Sequence, residues 1–285
     1  LARGHGAYIH EQRYTRRPDA REVTRVLSRC LDLLLGPTGV DEILAHPFAR
    51  LHIITARGRG MAASARRPVL MAALALAAAG NLVSRRALAL QMHRCVFHSS
   101  GDGATPFAHL ADLPTTHLAL TRENLRSALL ASGSIPLLLE GVRIPDAAAP
   151  EMAAGAGAAG ALPGGVHWDG GVLDYHLDLD FGPGDGLVLY PHFYAHVVPG
   201  WFDKALRWRR ARGHNFRRAL LVAPSDAFVA ALPGGKIPDR RDFYALAESE
   251  RIRRWEQVVE ASARLGDEIR ELVATGRVAD VVQPW

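Results

Sequence analysis

Trp168-Asp169-Gly170-Gly171-Val172 places a single carboxylate immediately before two glycines. A carboxylate within hydrogen-bond reach of a hydroxyl serves as a general base, and a turn bare of side chains leaves room for nucleophile and substrate to approach it. Asp169 is therefore the candidate catalytic residue, with Gly170 and Gly171 shaping the turn and meeting the substrate. Taken alone, the same tripeptide reads first as a hairpin turn.

A base needs a nucleophile, and the usual one is a serine on a Gly-x-Ser-x-Gly elbow. No glycine of this chain is followed two positions later by serine. Ser132 and Ser134 fall at an expected helix end and Ser99 and Ser100 in an expected turn, where serine commonly satisfies backbone groups. His192-Phe193-Tyr194-Ala195-His196 has the spacing that sets two imidazoles on one helix face, a zinc-ligand pattern. It lacks the intervening glutamate of the zinc hydrolases, and Pro191 and Pro199 argue against a helix there, so no metal is assigned. His167 and His176 bracket Asp169 and read either as headgroup contacts or as packing residues. Arg57 and Arg59 around Gly58 suit phosphate, without the glycine pattern of a phosphate loop.

The elements that must position Asp169 follow from periodicity. Val23, Val26, Leu27, Cys30, Leu31 and Leu34 form a helical stripe over residues 19–35, stopped by Gly36-Pro37. Leu51 to Ala56, Cys95 to His98 and His117 to Leu120 read as short strands, and an alanine-rich apolar helix runs from about Pro68. That helix is too short for a bilayer span and is expected to pack in the core; its arginine flanks leave an interfacial position open. Thr121 is placed to cap a helix from Arg122 to about Ala131, which Gly133 and Pro136 end. Leu137 to Ile144 is expected to be extended, and residues 145–165 a flexible alanine- and glycine-rich loop. Leu187 to Tyr190 and Ala219 to Val222 are two more strands, separated by a segment holding Trp201, Lys204, Trp208 and several arginines. A long closing helix, with Ile252, Trp255, Val259, Leu265, Ile269 and Leu272 on one face, should lie against a sheet. Strands alternating with helices predict one α/β domain over residues 1–285, its sheet mainly parallel and covered by helices on both faces. In such sheets reactive groups gather at strand ends, where Asp169 stands.

The segments from Arg122 to Pro136, Leu137 to Ile144 and Val166 to His176 resemble, in order and spacing, the back half of the patatin-like phospholipases. There a helix ends in Ala-Ser-x-x-x-Pro, a strand follows, and an Asp-Gly-Gly or Asp-Gly-Ala segment comes next. The resemblance implies a three-layer patatin-like fold and makes Asp169 the base of a Ser-Asp dyad that needs neither histidine nor cofactor. It implies a lipid acyl hydrolase of phospholipase A or lysophospholipase type, acting on phospholipids or other fatty-acyl esters. That family's elbow and glycine-rich oxyanion loop precede every matched segment, so a start truncated before Leu1, with the serine outside this chain, is expected. The alternative is a catalytically inactive module that binds a lipid surface or a partner on a decayed hydrolase fold.

Composition sets outer bounds. The 285 residues, 48% hydrophobic and 22% charged, can bury a large core. A net charge of +5 suits solubility or peripheral contact with an anionic membrane surface, and nothing beyond charge points to nucleic acid. Two cysteines, Cys30 and Cys95, exclude a disulfide framework; buried thiols and a reduced, cytoplasmic setting are expected.

Overall fold

The computed structural model describes residues 2–14, 18–99, 105, 107, 110–144, 165–181, 186–211 and 213–284. In chain order its elements are α1 (Ala2–Glu11), α2 (Ala20–Leu35), α3 (Gly39–Leu44), β1 (His52–Gly58), α4 (Arg67–Val83), β2 (Met92–His98), β3 (Thr115–Ala119) and α5 (Leu125–Ser132). They continue with β4 (Val142–Arg143), β5 (Val166–Asp169), β6 (Val188–Pro191), β7 (Ala219–Val222), α6 (Asp226–Ala231), α7 (Asp242–Ala245), α8 (Glu248–Ala274) and α9 (Val278–Val281). The chain divides into two compact units, one of Leu1–Thr15, Leu187–Ala195 and Arg217–Trp285, the other of Arg16–Gly186 and His196–Phe216. The expected loop at 145–164 lies outside the described residues.

The second unit holds Asp169. Its five-stranded sheet has the order β3-β2-β1-β5-β4. β1 is antiparallel to both β2 and β5, β4 is antiparallel to β5, and only β2 and β3 run parallel. The expectation of a mainly parallel sheet is therefore corrected. Between β1 and β2 the sequence shows a helix, which normally signals a crossover to a parallel neighbour. Here α4 and a short 3₁₀ segment, Arg85–Leu90, bring the chain back to the end it left, so that Gly58 pairs with Met92 and the Arg59 N–H donates to the Gln91 carbonyl at 2.7 Å. Strand, helix, strand is in this place a hairpin with a helical insertion.

Helices cover both faces, as alternation along the strands requires. Ala56 and Trp168 pack with Leu70, Ala73, Leu74 and Ala77 of α4. Ile53, Cys95 and Phe97 pack instead with Leu125, Ala128 and Ala131 of α5, backed by Leu35 of α2 and Val40 and Ile43 of α3. α2 starts and stops where its sequence says: the Asp19 carboxylate accepts the Glu22 N–H at 2.8 Å, and Gly36 takes φ 60° past its last turn. Thr121 and Asn124 cap each other ahead of α5, the Asn124 N–H donating to the Thr121 hydroxyl and the Thr121 N–H to the Asn124 amide oxygen. Leu137 to Ile144 is less extended than its sequence suggests, holding a turn and only the two residues of β4. Cys30 and Cys95 are both buried free thiols.

In the other unit β6 and β7 form a separate parallel pair. α8 packs on α1 and α7 rather than on a sheet, a second correction. Only Arg251 and Trp255 of α8 are buried, and both are anchored by polar bonds. Trp255 Nε1 donates to Asp242 at 2.9 Å and an Arg251 guanidinium N–H donates to the Gln12 carbonyl at 2.7 Å. Val259 and Val273, farther along the helix, are exposed.

Candidate functional site

β5 carries Asp169 at its end, opposite Thr55 in the middle of β1. The Asp169 N–H donates to the Ser134 carbonyl at 2.9 Å, tying the strand end to the residues that follow α5. The chain then turns into a short 3₁₀ helix, Gly170–Val172, with Asp169 as its cap: the carboxylate accepts the Gly171 N–H at 2.7 Å. The Leu173 and Asp174 N–H groups both close on the Gly170 carbonyl, at 3.0 and 2.9 Å. The segment is thus a tight post-strand turn and not a hairpin, because the strands beside β5 are β1 and β4. Gly170 is obligatory in this geometry: a Cβ there would stand 2.2 Å from the Ile54 carbonyl oxygen.

Burial pushes the Asp169 carboxyl above its usual value, opposed by the Gly171 N–H and by the Lys204 ammonium charge. Lys204 sits 3.8 Å over the Tyr175 ring, a cation–π contact that holds a positive charge beside the turn. The Gly171 N–H is already engaged by Asp169, so it does not serve as an oxyanion donor. The strands that carry the site hold a buried polar pair that sequence reading missed: Thr55 Oγ1 and His167 Nδ1 are 2.9 Å apart on adjacent strands. Burial, with the charge of Arg57 and the neighbouring His93, lowers the His167 pKa to about 4, so the imidazole is neutral and acts as packing.

A second missed feature anchors the turn from behind. Asp174 takes two bonds from the fully buried Arg94, Nε to Oδ2 and Nη2 to Oδ1, both at 2.7 Å. Arg94 also forks onto Asp112 at 2.7 and 3.0 Å, and Arg85 reaches Asp174 at 2.8 Å. Burial acts to raise the Asp112 carboxyl, but the two arginines outweigh it and hold its pKa at about 2. Arg94 and Asp174 are 80 positions apart, and no local pattern links them.

The other candidates separate from this site. Ser132 and Ser134 donate to the Leu129 and Leu130 carbonyls, each at 2.8 Å, and Ser99 accepts the Leu51 N–H at 2.9 Å, the backbone roles expected of them. Ser100 lies outside the described residues. No helix forms over 192–196, so the spacing of His192 and His196 loses its meaning. Among the described residues no three His, Cys, Asp or Glu side chains are placed to hold a metal ion. His176 is buried and accepts the Val198 N–H through Nδ1 at 2.9 Å. A cavity of about 500 Å³ is lined by Arg67, Leu70, Glu140 and Trp168 among others. Asp169 is not among the residues that line it.

No family model, curated protein or solved structure matches the chain. The patatin-like resemblance of residues 122–176 gains nothing from these comparisons.

Proposed function

We propose that this chain carries the base of a Ser-Asp lipid acyl hydrolase, acting on fatty-acyl esters of phospholipids or related lipids. Asp169 takes the proton of a serine hydroxyl as that oxygen attacks the ester carbonyl, and returns it to the leaving alkoxide. Water then releases the acyl group by the same proton route, without metal or cofactor. In this reading the serine comes from outside these 285 residues, the hydroxyls of Ser99, Ser132 and Ser134 being bound to backbone. The observation that carries the reading is the carboxylate itself: desolvated, raised in pKa and fixed at a strand end on a turn whose first glycine admits no side chain.

A second reading, a surface- or partner-binding module without turnover, is favoured by the engagement of those same serine hydroxyls. Labelling with a fluorophosphonate probe distinguishes the two. The hydrolase reading expects one serine of the gene product to be labelled, identified by peptide mass, and Asp169→Asn to slow labelling by at least about 100-fold. Labelling at an unchanged rate in that variant refutes Asp169 as base; an intact fold with no labelled serine assigns the protein to the binding module.

A further inference from the structure

α4 has no charged side chain between Pro68 and Val83. Its inward side, Leu70, Ala73, Leu74, Ala77 and Asn81, is buried as a core helix should be. Its outward side is equally apolar: Met71 is 50% exposed, Leu76 56%, Leu82 59% and Val83 87%. Together with Ala72, Ala75 and Ala79 these positions recur at three- and four-residue spacing and form one continuous stripe. Leu90, at the end of the segment that follows the helix, is 76% exposed. A helix whose outer face faces water normally carries polar residues there, and one that is apolar all round is normally covered.

Charge identifies what covers it. From Ile43 to Gly101 the sequence has eight arginines and no aspartate or glutamate. Arg85 and Arg94 are consumed by Asp112 and Asp174. Arg66 and Arg67 at the start of α4, and Arg86 just past its end, are exposed and have no carboxylate partner among the described residues. The stripe is therefore bounded at both ends by unpaired cations. A second copy laid antiparallel on this face would bring Arg66 and Arg67 of one chain against Arg86 of the other, like charges at both ends of the contact. A layer of anionic headgroups over hydrocarbon complements both the cations and the stripe. No helix among the described residues is long and apolar enough to cross a membrane, so α4 would lie in the interface plane.

We infer that the outer face of α4 docks this protein on an anionic lipid bilayer. Adsorption is read without turnover, so this inference stands apart from the hydrolase reading. The test is flotation of the full chain with vesicles of phosphatidylcholine alone and of phosphatidylcholine with phosphatidylglycerol. Binding is expected to the anionic vesicles only, about 30-fold weaker for Arg66→Gln with Arg67→Gln. It should be at least about 100-fold weaker for Leu76→Gln with Leu82→Gln. Both pairs are surface substitutions, and circular dichroism checks their fold. A readout free of variants is peroxide oxidation of Met71 in the wild-type protein, which should slow on anionic vesicles and not on neutral ones. Equal binding to both vesicle types, undiminished binding by the leucine pair, or unprotected Met71 overturns the inference. A wild-type dimer that the leucine pair converts to monomer, without vesicle binding, gives the face to a second copy and overturns it as well.

Discussion

Removing the Asp174 carboxylate is the sharpest structural perturbation this fold offers. Asp174→Ala leaves the fully buried Arg94 guanidinium with the Asp112 carboxylate and the Thr115 hydroxyl, and strips Arg85 of its 2.8 Å partner. Breaking a buried pair from one side typically costs about 3–5 kcal/mol, because the surviving charge stays desolvated. For a unit of this size each kcal/mol lowers the melting temperature by about 2–4 °C, so a fall of roughly 6–20 °C is expected. Replacing both partners, Arg94→Met with Asp174→Leu, removes the stranded charge. Asp112 is half-exposed and keeps Arg85, so the double variant should lie within about 2 kcal/mol of wild type. Urea unfolding followed by tryptophan fluorescence measures all three proteins, Trp168 being buried in this unit. A cost below about 1 kcal/mol for Asp174→Ala, or a double variant as unstable as the single, refutes the claim that this network holds the turn.

Three further outcomes follow from the same geometry. The Asp169 carboxyl is raised by burial, so the folded protein keeps that proton above pH 3.8, and at neutral pH the ionised group opposes folding. Asp169→Asn should raise the melting temperature at pH 7, with the gain vanishing below about pH 4; a lower melting temperature at pH 7 contradicts the raised pKa. His93, His98 and His167 are each lowered to about 4 by burial first and neighbouring positive or imidazole groups second. Their unfolded forms take protons at pH 6.5, so stability present above that pH is lost as pH falls towards 4, up to about 3 kcal/mol for the deeply buried His167. Urea midpoints at pH 7 and 4.5 read this loss, and a His167→Gln protein should show a shallower slope; equal midpoints in the wild type sink the account. Gly170→Ala drives a Cβ to 2.2 Å from the Ile54 oxygen and should cost about 1–3 kcal/mol by calorimetry, against no detectable cost if the turn were a flexible hairpin.

Local signals in the sequence were read reliably where chemistry is local. The helical stripe over 19–35, its Gly36 stop and the β-branched run of β1 depend only on neighbouring residues, and each element forms there. What sequence left hidden is non-local. Strand direction between β1 and β2 is set by where residues 59–91 return, which periodicity does not encode. The Arg94–Asp174 pair unites two residues that each look like surface charge. α4 reads as a core helix because hydrophobicity says that a face is apolar and not what lies against it; half of that apolar surface faces outward. Of the candidate site, the tight glycine turn after Asp169 was legible from the tripeptide, whereas the approach of Gly170 to the Ile54 carbonyl, on another strand, was not. Nor were the Thr55–His167 pair and the Lys204 charge, being assembled across strands and loops.

The central claim is that Asp169 acts as a general base, and ester turnover by the Asp169→Asn variant tests it most directly. With p-nitrophenyl butyrate and the gene product, the account predicts a loss of about 100- to 10,000-fold in kcat with the fold intact. Turnover undiminished in a folded Asp169→Asn protein contradicts it.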